Sequence, residues 1–400
     1  MSAPVAWVTA AACNYLPQVR VLARSFTDHH PGRRMTVLIT DAPPPGVDLA
    51  AEPYDVLFPD DVAIPPGWLM THTRKALAAA SKPHLMRHVL ERGAGGVVFV
   101  DPDMIVLGPM TDIDTHAIRH SLGLRPHLTR PGDRTDDALA FVEDQVLMAG
   151  MFNGGLITAS STPEAAAFLH WWASVQDQGC AHDLQRAEHF DQRWLDLAPS
   201  MVDDIGLVRD PGLDVAFWSM PGAEIILADG TLMVDRHPCR LLHFTGFIPE
   251  DPNTLVAYFG DRFRLDAVPA FVDLYRAYCD ALAREGRATW RAAPYGFGTF
   301  EDGSPVPDAG RRAYAEMGAE RHRFGDPFRT GRGSFHEWLA APADDGAPPI
   351  PREWMEAHAH QPRIHGMFPD PLGEDRHRFH AWIGSAEARE ARQQPYLMER

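Results

Sequence analysis

The segment GGVVFVDPDMIVL, residues 95–107, joins an apolar run to an Asp-Pro-Asp tripeptide and then to a second apolar run. Its β-branched and aromatic residues, 97–100, are typical of a buried β-strand. Asp101 and Asp103 follow directly where that strand ends. Because open α/β sheets bind ligands at the carboxyl ends of their strands, we expect both carboxylates to lie at a binding edge.

The two carboxylates of this segment are suited to holding a cation. Residues two apart on an extended chain project to the same face, and Pro102 fixes its own φ between them. Buried carboxylates are costly unless a positive charge compensates them. Mn²⁺ or Mg²⁺ takes oxygen ligands and completes its shell with phosphates and water, which indicates a nucleotide diphosphate. An isolated Asp-x-Asp is equally compatible with a solvated turn and an N-capping aspartate.

The composition is that of an ordinary globular protein with no preference for nucleic acid. Of 400 residues, 45% are hydrophobic and 23% charged, and 37 basic against 54 acidic residues give a net charge of −17, which disfavours a phosphate backbone as partner. No apolar run approaches the ~20 residues of a membrane span, and no signal peptide is recognisable. The four cysteines lack metal-ligand spacing, so we expect reduced thiols in a cytoplasmic protein.

Strand and helix patterns alternate along the first two thirds of the chain. Strand-like apolar runs occupy residues 4–11, 35–41, 54–58 and 95–100, helical periodicity occupies 15–28, 71–92 and 163–176, a hairpin surrounds Asp-Gly at 229–230, and a last strand begins the segment 241–247. Continuously apolar strands alternating with helices predict an α/β fold, with a mostly parallel sheet covered on both faces.

The pattern changes near residue 255, where we place a domain boundary. Residues 1–255 are predicted to form the α/β catalytic domain. Residues 256–400 are predicted to form a mainly helical and irregular extension, as a possible acceptor-side or oligomerisation region. It opens with an amphipathic helix around 271–282 and contains a linker or loop at ADDGAPPIP, residues 343–351.

Four segments carry a resemblance to a known family. They are VTAAACNYLPQVRVLARSF (8–26), SKPHLMRHVLERGAGGVVFVDPDMIVL (81–107), MFNGGLITAS (151–160) with FDQRW (190–194), and LLHFTGF (241–247). In order and spacing they resemble nucleotide-sugar glycosyltransferases of the GT-A fold, most closely the family-eight group of glycogenin-like and bacterial lipooligosaccharide galactosyltransferase-like enzymes. The family often carries a phosphate-binding lysine after the last segment, whereas Phe-Ile-Pro-Glu stands at 247–250.

This resemblance implies a GT-A sheet and a role for each matching residue. It implies a metal site of Asp101, Asp103 and His243, where an imidazole beside two carboxylates favours Mn²⁺ over Mg²⁺. It implies catalytic roles for Asn153, Asp191 and Gln192. It implies that the nucleotide sugar is bound by Thr9, Asn14, Lys82, Pro102, Gly154, Gly155 and Gly246.

Each of these residues also has a purely structural interpretation. A histidine at a strand end is often structural, a lysine such as Lys82 is often on the surface, paired glycines often form a tight turn, and Asp191 is compatible with the start of a helix. Lys75 is predicted to be solvated, and Asp203 and Asp204 to lie in a loop.

The predicted activity is metal-dependent transfer of a sugar from a UDP-sugar to an acceptor, with retention. Glycan, lipid-linked sugar, protein and natural product all stay open as acceptor. Candidate acceptor aromatics are Trp218, Trp290, Tyr295, Phe297 and Phe300, with YGFGTFEDG (295–303) as an acceptor-side loop.

Rival functions from other classes are a non-catalytic sugar- or nucleotide-binding protein and a haloacid-dehalogenase-like phosphatase. In such a phosphatase the first aspartate would be the nucleophile. A Thr or Val is expected where Ile105 stands, together with a downstream lysine or a substitute arginine, and no lysine follows Lys82. A Rossmann oxidoreductase or a P-loop enzyme is disfavoured, because neither a G-x-G-x-x-G after the first strand nor a GK[ST] is present.

Overall fold

The computed structural model describes residues 3–42, 46–177, 180, 182–183, 188–251 and 253–393. They form two compact units, the first built from residues up to 64 with 78–294 and the second from 65–77 with 295 onward. The boundary predicted after residue 255 falls inside the first unit. That residues 256–400 form a separate C-terminal extension stays a prediction.

The described residues of the first unit contain fourteen strands, and seven of them form its main sheet. The strands are β1 (Val5–Ala11), β2 (Thr36–Ile39), β3 (Asp55–Leu57), β4 (Gly96–Val100), β5 (Met104–Val106), β6 (Leu122–Pro126), β7 (Phe152–Ser160), β8 (His182–Asp183), β9 (Glu188–His189), β10 (Ile205–Leu207), β11 (Ile225–Ala228), β12 (Thr231–Val234), β13 (His237–Pro238) and β14 (Leu241–His243). The sheet order is β10-β6-β7-β4-β1-β2-β3. Its pairings are parallel except for those of β7 with β4 and β6.

Helices flank this sheet and dominate the C-terminal region. They are α1 (Leu16–His29), α2 (Pro66–Thr71), α3 (Arg74–Ala80), α4 (Lys82–Glu91), α5 (Thr111–Arg119), α6 (Asp137–Ala149), α7 (Pro163–Gln176), α8 (Pro269–Arg284), α9 (Arg287–Arg291), α10 (Asp308–Glu316), α11 (Phe335–Ala340), α12 (Arg352–His360), α13 (Pro362–Met367), α14 (Arg376–Ile383) and α15 (Ala386–Gln393). The α/β class, with a mostly parallel mixed sheet and a helical C-terminal region, is confirmed. Among the described residues we find no helix with the length and hydrophobicity of a membrane span.

Strand β4 shows how both faces of the sheet are covered. Val98 and Val100 belong to a buried cluster with Phe26 of α1 and Ile113 of α5. Phe99, which alternates with them, faces the other side, where the Nζ of Lys82 on α4 lies 4.9 Å from its ring centroid. The continuous apolar sequence of the strand therefore reflects burial on two faces.

The segment 71–92, predicted from its helical periodicity, is mostly helical but is divided, because α3 ends at Ala80 and α4 begins at Lys82. Pro83 stands in the first turn of α4. A proline lacks the backbone N–H that a continuous helix requires, but it fits the first turn of a new one.

The glycine at the start of β4 fixes how closely α5 packs on the sheet. A Cβ atom on Gly96 would lie 2.8 Å from the backbone carbonyl oxygen of Ala117. We expect Gly96→Ala to lower the free energy of unfolding of the first unit by about 1–3 kcal/mol, because overpacking against backbone cannot relax through a side chain. Urea unfolding measures this change. Gly366→Ala on α13, where no atom lies within 4 Å, is the control, and an equal loss in both variants would contradict this packing account.

Candidate active site

The antiparallel pairing of β14 with β5 brings the predicted metal ligands together. His243 is in register with Met104, and the Phe244 amide donates to the Asp103 carbonyl at 2.9 Å. The His243 Nε2 atom lies 3.3 Å from Asp103 Oδ1 and 3.9 Å from Asp101 Oδ2. One ligand atom from each of these three side chains lies within 4.8 Å of the other two.

A buried aspartate orients the imidazole. Asp214 Oδ1 lies 2.8 Å from His243 Nδ1, so Nδ1–H donates to the carboxylate and Nε2 is left facing Asp101 and Asp103. Asp214 is fully buried and takes a left-handed backbone conformation, φ 52°. Burial lowers the pKa of the His243 imidazole, but Asp103 and Asp214 outweigh it and raise that pKa well above its usual value. A carboxylate behind a ligand histidine is the usual outer shell of a metal site.

Lys82 links three parts of the site from the first turn of α4. Its Nζ donates to the Gly154 carbonyl at 2.8 Å and lies 3.1 Å from both Asp101 Oδ1 and Asp191 Oδ2. Burial lowers the pKa of the ammonium, but the two carboxylates outweigh this effect and raise it. Burial raises the pKa of Asp191 to about 6, against the opposing effect of Lys82. Trp172 Nε1 donates to the Asp191 carbonyl at 3.0 Å.

The backbone of β7 approaches the aspartates directly. Val100 pairs with Leu156, and the Asp101 amide donates to the Gly155 carbonyl at 3.0 Å. A Cβ atom on Gly155 would lie 2.8 Å from Asp101 Oδ2 and 2.5 Å from Asn153 Oδ1. A side chain at position 155 would therefore displace the Asp101 carboxylate and the Asn153 amide.

The amide side chains of Gln192 and Asn153 hold this backbone in place. Gln192 Oε1 accepts from the Gly154 amide at 3.0 Å, and Gln192 Nε2 donates to the Ala149 carbonyl at 3.1 Å. Asn153 Oδ1 accepts from the Gly155 amide at 2.5 Å, and Asn153 Nδ2 donates to His127 Nε2 at 3.2 Å. The three residues predicted to be catalytic thus lie around the same glycine pair, and their catalytic roles stay predictions.

The charged side chains that contact one another in this part of the described chain are suited to a divalent cation. The carboxylates are those of Asp101, Asp103, Asp191 and Asp214, and the bases are Lys82 and His243. The carboxylates of this group outnumber its bases by four to two. Two carboxylates and an imidazole, the latter oriented by a further carboxylate, fit Mn²⁺ as donor set.

The other residues predicted to bind the nucleotide sugar lie in β1 or in the segments that follow β1, β4 and β14. Thr9 is buried in β1, and Asn14 follows β1. Thr9 Oγ1 and Asn14 Oδ1 are buried with no hydrogen-bond partner among the described residues. Pro102 lies in the turn between β4 and β5, and Gly246 takes φ 65° in the turn after β14.

The predicted acceptor aromatics divide between the two units. Trp218 meets the His243 ring edge-on, with centroids 5.5 Å apart, and Trp290 packs against the core of the first unit. Tyr295, Phe297 and Phe300 lie in the second unit with the loop 295–303. Their role in binding an acceptor stays a prediction.

Several smaller predictions also have places in the structure. Lys75 is exposed, and Asp203 and Asp204 lie in the turn before β10. None of the four cysteines, all of which are among the described residues, forms a disulfide.

Sequence reasoning missed two residues of the site. The only signal for Asp214 is that it is an acidic residue within the otherwise apolar run 213–217. His127 carried no signal, because the contact to Asn153 depends on the pairing of β6 with β7.

Known proteins offer a limited comparison with this chain. No protein-family model matches the sequence. The uncharacterized protein YfnD of Bacillus subtilis (strain 168) is 25% identical over 175 residues, which is 42% of this chain and 52% of that protein. The chain thus spans about half the length of this curated relative.

Similar solved structures include the galactosyltransferase LgtC, in complex with donor and acceptor sugar analogs, the bifunctional glycosyltransferase WbbM, and the glycosyltransferase GlyE of Streptococcus pneumoniae TIGR4. All three are glycosyltransferases. LgtC is 16% identical, with a TM-score of 0.41, over 69% of this chain and 95% of LgtC. WbbM is 12% identical, with a TM-score of 0.40, over 71% of this chain and 52% of WbbM. GlyE is 16% identical, with a TM-score of 0.41, over 74% of this chain and 67% of GlyE. Because these TM-scores are below 0.5, we base the assignment of function on this chain's own side chains.

Removing the charge behind the imidazole tests the metal site. We expect Asp214→Asn to weaken Mn²⁺ binding about 10–100-fold, because loss of an outer-shell carboxylate loosens the ligand histidine. Isothermal titration of the purified protein with MnCl₂ measures this effect. The matched control is Asp210→Asn, since Asp210 pairs with Arg240. If Mn²⁺ affinity fell equally in both variants, the positioning role of Asp214 would be refuted.

Proposed function

We propose that this protein is a metal-dependent glycosyltransferase that moves a sugar from a UDP-sugar to a hydroxyl group of an acceptor, with retention at the anomeric carbon. The observation that carries the proposal is the convergence of Asp101, Asp103 and His243 where β4 ends, beside the bare backbone of Gly154 and Gly155. Retention rests on the resemblance of the four sequence segments to family-eight enzymes.

The reaction exchanges one bond at the anomeric carbon for another. The bond from that carbon to the diphosphate oxygen breaks, and a bond to the acceptor oxygen forms on the same face of the sugar. The electron pair of the broken bond leaves with the nucleoside diphosphate. The proton of the acceptor hydroxyl passes to the departing phosphate oxygen.

The chain's own residues orient the reactants. Asp101, Asp103 and His243 would hold the divalent ion, which when bound neutralises charge on the diphosphate leaving group. Lys82 fixes the carboxylates of Asp101 and Asp191, since its ammonium already contacts both. The glycine pair leaves room for the sugar ring to approach backbone groups.

The nucleoside is assigned to the end of β1. The buried Oδ1 of Asn14 has no hydrogen-bond partner among the described residues, and a buried acceptor without a partner is costly. A ribose hydroxyl or a base N–H would satisfy it. This side of the site lies next to β4, because β1 pairs with β4 in the sheet.

Donor hydrolysis tests the proposal without knowledge of the acceptor. With Mn²⁺ we expect slow release of UDP from at least one UDP-sugar, and loss of that release in EDTA. We expect Asp103→Asn to reduce the rate of UDP release at least 100-fold. Loss of a metal ligand removes about 3 kcal/mol or more of transition-state stabilisation, and each 1.4 kcal/mol changes the rate tenfold. Asp203→Asn, at an exposed aspartate, should leave the rate unchanged.

Nucleotide release that persists in EDTA or in Asp103→Asn would refute a metal-dependent transferase. Binding of UDP and Mn²⁺ without turnover of any donor would instead favour the non-catalytic sugar- or nucleotide-binding protein.

A further inference from the structure

The second unit contains its own group of side chains that can coordinate a metal ion. Glu316 is the last residue of α10, and Glu356 and His360 belong to α12. One ligand atom from each of these three side chains lies within 4.8 Å of the other two. The His360 Nε2 atom lies 3.3 Å from Glu316 Oε1 and 3.8 Å from Glu356 Oε2. One ring nitrogen therefore faces both carboxylates.

The packing of two helices brings these ligands together. Glu356 and His360 are four residues apart on α12, which places both side chains on one face of that helix. Ala309 of α10 shares a buried cluster with Trp354 of α12, so the two helices lie against each other. Glu316 is thereby brought to the face that carries the other two ligands. Two ligands at positions i and i+4 of one helix are a known arrangement for holding Zn²⁺.

The separations between the ligand atoms match those of a coordination shell. Zn²⁺ binds imidazole nitrogen and carboxylate oxygen at about 2.0–2.2 Å in a tetrahedron, which puts neighbouring ligand atoms roughly 3.3–3.6 Å apart. The His360–Glu316 pair, at 3.3 Å, already has this separation, and the His360–Glu356 pair, at 3.8 Å, needs a shift of only about 0.2 Å. Both separations are longer than the ~2.7–3.2 Å of an N–H···O hydrogen bond.

Electrostatics at the ends of the two helices favours a cation. Helix α10 ends at Glu316 and α12 ends at His360, and the carbonyl groups at a helix C-terminus carry partial negative charge. A carboxylate at such an end is unfavourable unless a positive charge accompanies it. Burial raises the pKa of Glu356, Glu316 raises that pKa further, and Arg312 opposes both effects. Arg312 offsets part of the negative charge but has no acceptor atom with which to bind a metal.

The exposure of the three side chains gives an ion access from solvent. The side chains of Glu356 and His360 are 27% and 29% exposed, whereas that of Glu316 is 54% exposed. A tetrahedral ion with three protein ligands keeps a fourth position for water. The ion would therefore be sheltered by α12 and reached from the side of Glu316.

We propose that Glu316, Glu356 and His360 bind one divalent transition-metal cation of the Zn²⁺ type, and that this ion fastens α10 to α12. The imidazole favours such a cation over Mg²⁺ or Ca²⁺, which prefer oxygen ligands. The ion would stabilise the second unit, because its three ligands meet only when the two helices are packed. This site is independent of the proposed glycosyl transfer.

A protonated His360 that pairs with both carboxylates is the alternative explanation of the same contacts. Such an ion pair would need no metal, whereas the proposed site loses a bound ion when a ligand is removed. Metal binding measured in the full-length protein therefore distinguishes the two.

The parent protein for this experiment carries Asp103→Asn, so that metal binding in the first unit is weakened in every sample. Each sample is titrated calorimetrically with ZnCl₂, and its melting temperature is measured in ZnCl₂ and in EDTA. Co²⁺ is added to separate samples, because its visible absorption reports a tetrahedral coordination shell.

His360→Gln and Glu356→Gln each remove one ligand, and either suffices if the other fails to fold as judged by circular dichroism. The matched controls are His377→Gln and Glu320→Gln, which change exposed residues of the second unit. We expect Zn²⁺ affinity to fall at least tenfold in each ligand variant and to stay within twofold in each control. ZnCl₂ should raise the melting temperature of the parent and the controls, but not that of the ligand variants.

The tetrahedral Co²⁺ absorption should likewise appear in the parent protein and be lost in both ligand variants. The assignment is refuted if the parent binds no Zn²⁺, or if a folded ligand variant binds Zn²⁺ as tightly as the controls do. Either result would leave the three side chains as an ion-pair cluster only.

Discussion

The antiparallel pairing of β5 with β14 is the constraint on which the site depends. It places His243 beside Asp103, 140 positions earlier in the chain. A slip of one residue would turn the imidazole to the opposite face of the strand. The register is fixed by apolar neighbours, since Leu241 and Leu242 are fully buried on opposite sides. Packing of these two leucines in the core thus holds His243 on the same side as Asp101 and Asp103.

Charge compensation is the second requirement of this arrangement. Lys82 supplies one positive charge among the carboxylates and bridges Asp101 to Asp191. The end of β4 stays partly open to solvent, because the side chains of Asp101 and Asp103 are 23% and 21% exposed. A cation is therefore able to reach these two carboxylates from solvent. The carboxylate of Asp214, which orients the His243 imidazole, is fully buried.

Sequence patterns predicted those strands and helices whose formation depends on residues close together in the chain. The strand predicted over 95–100 and the helix predicted over 163–176 are correct, since periodicity is a property of neighbouring residues. The partner of β14, the role of Asp214 and the approach of Glu316 to His360 were not predictable, because each arises from contacts between distant segments. The division of the helical segment 71–92 is marked by Pro83, which fits the first turn of a new helix but not the interior of a continuous one.

A crystal soaked with MnCl₂ and UDP, with data collected at the manganese absorption edge, tests the central claim most directly. We expect one anomalous peak within coordinating distance, roughly 2.0–2.3 Å, of an Asp101 oxygen, an Asp103 oxygen and His243 Nε2, with the UDP phosphates completing the shell. A manganese peak elsewhere, or none at this position while UDP is bound, would contradict the metal-dependent account.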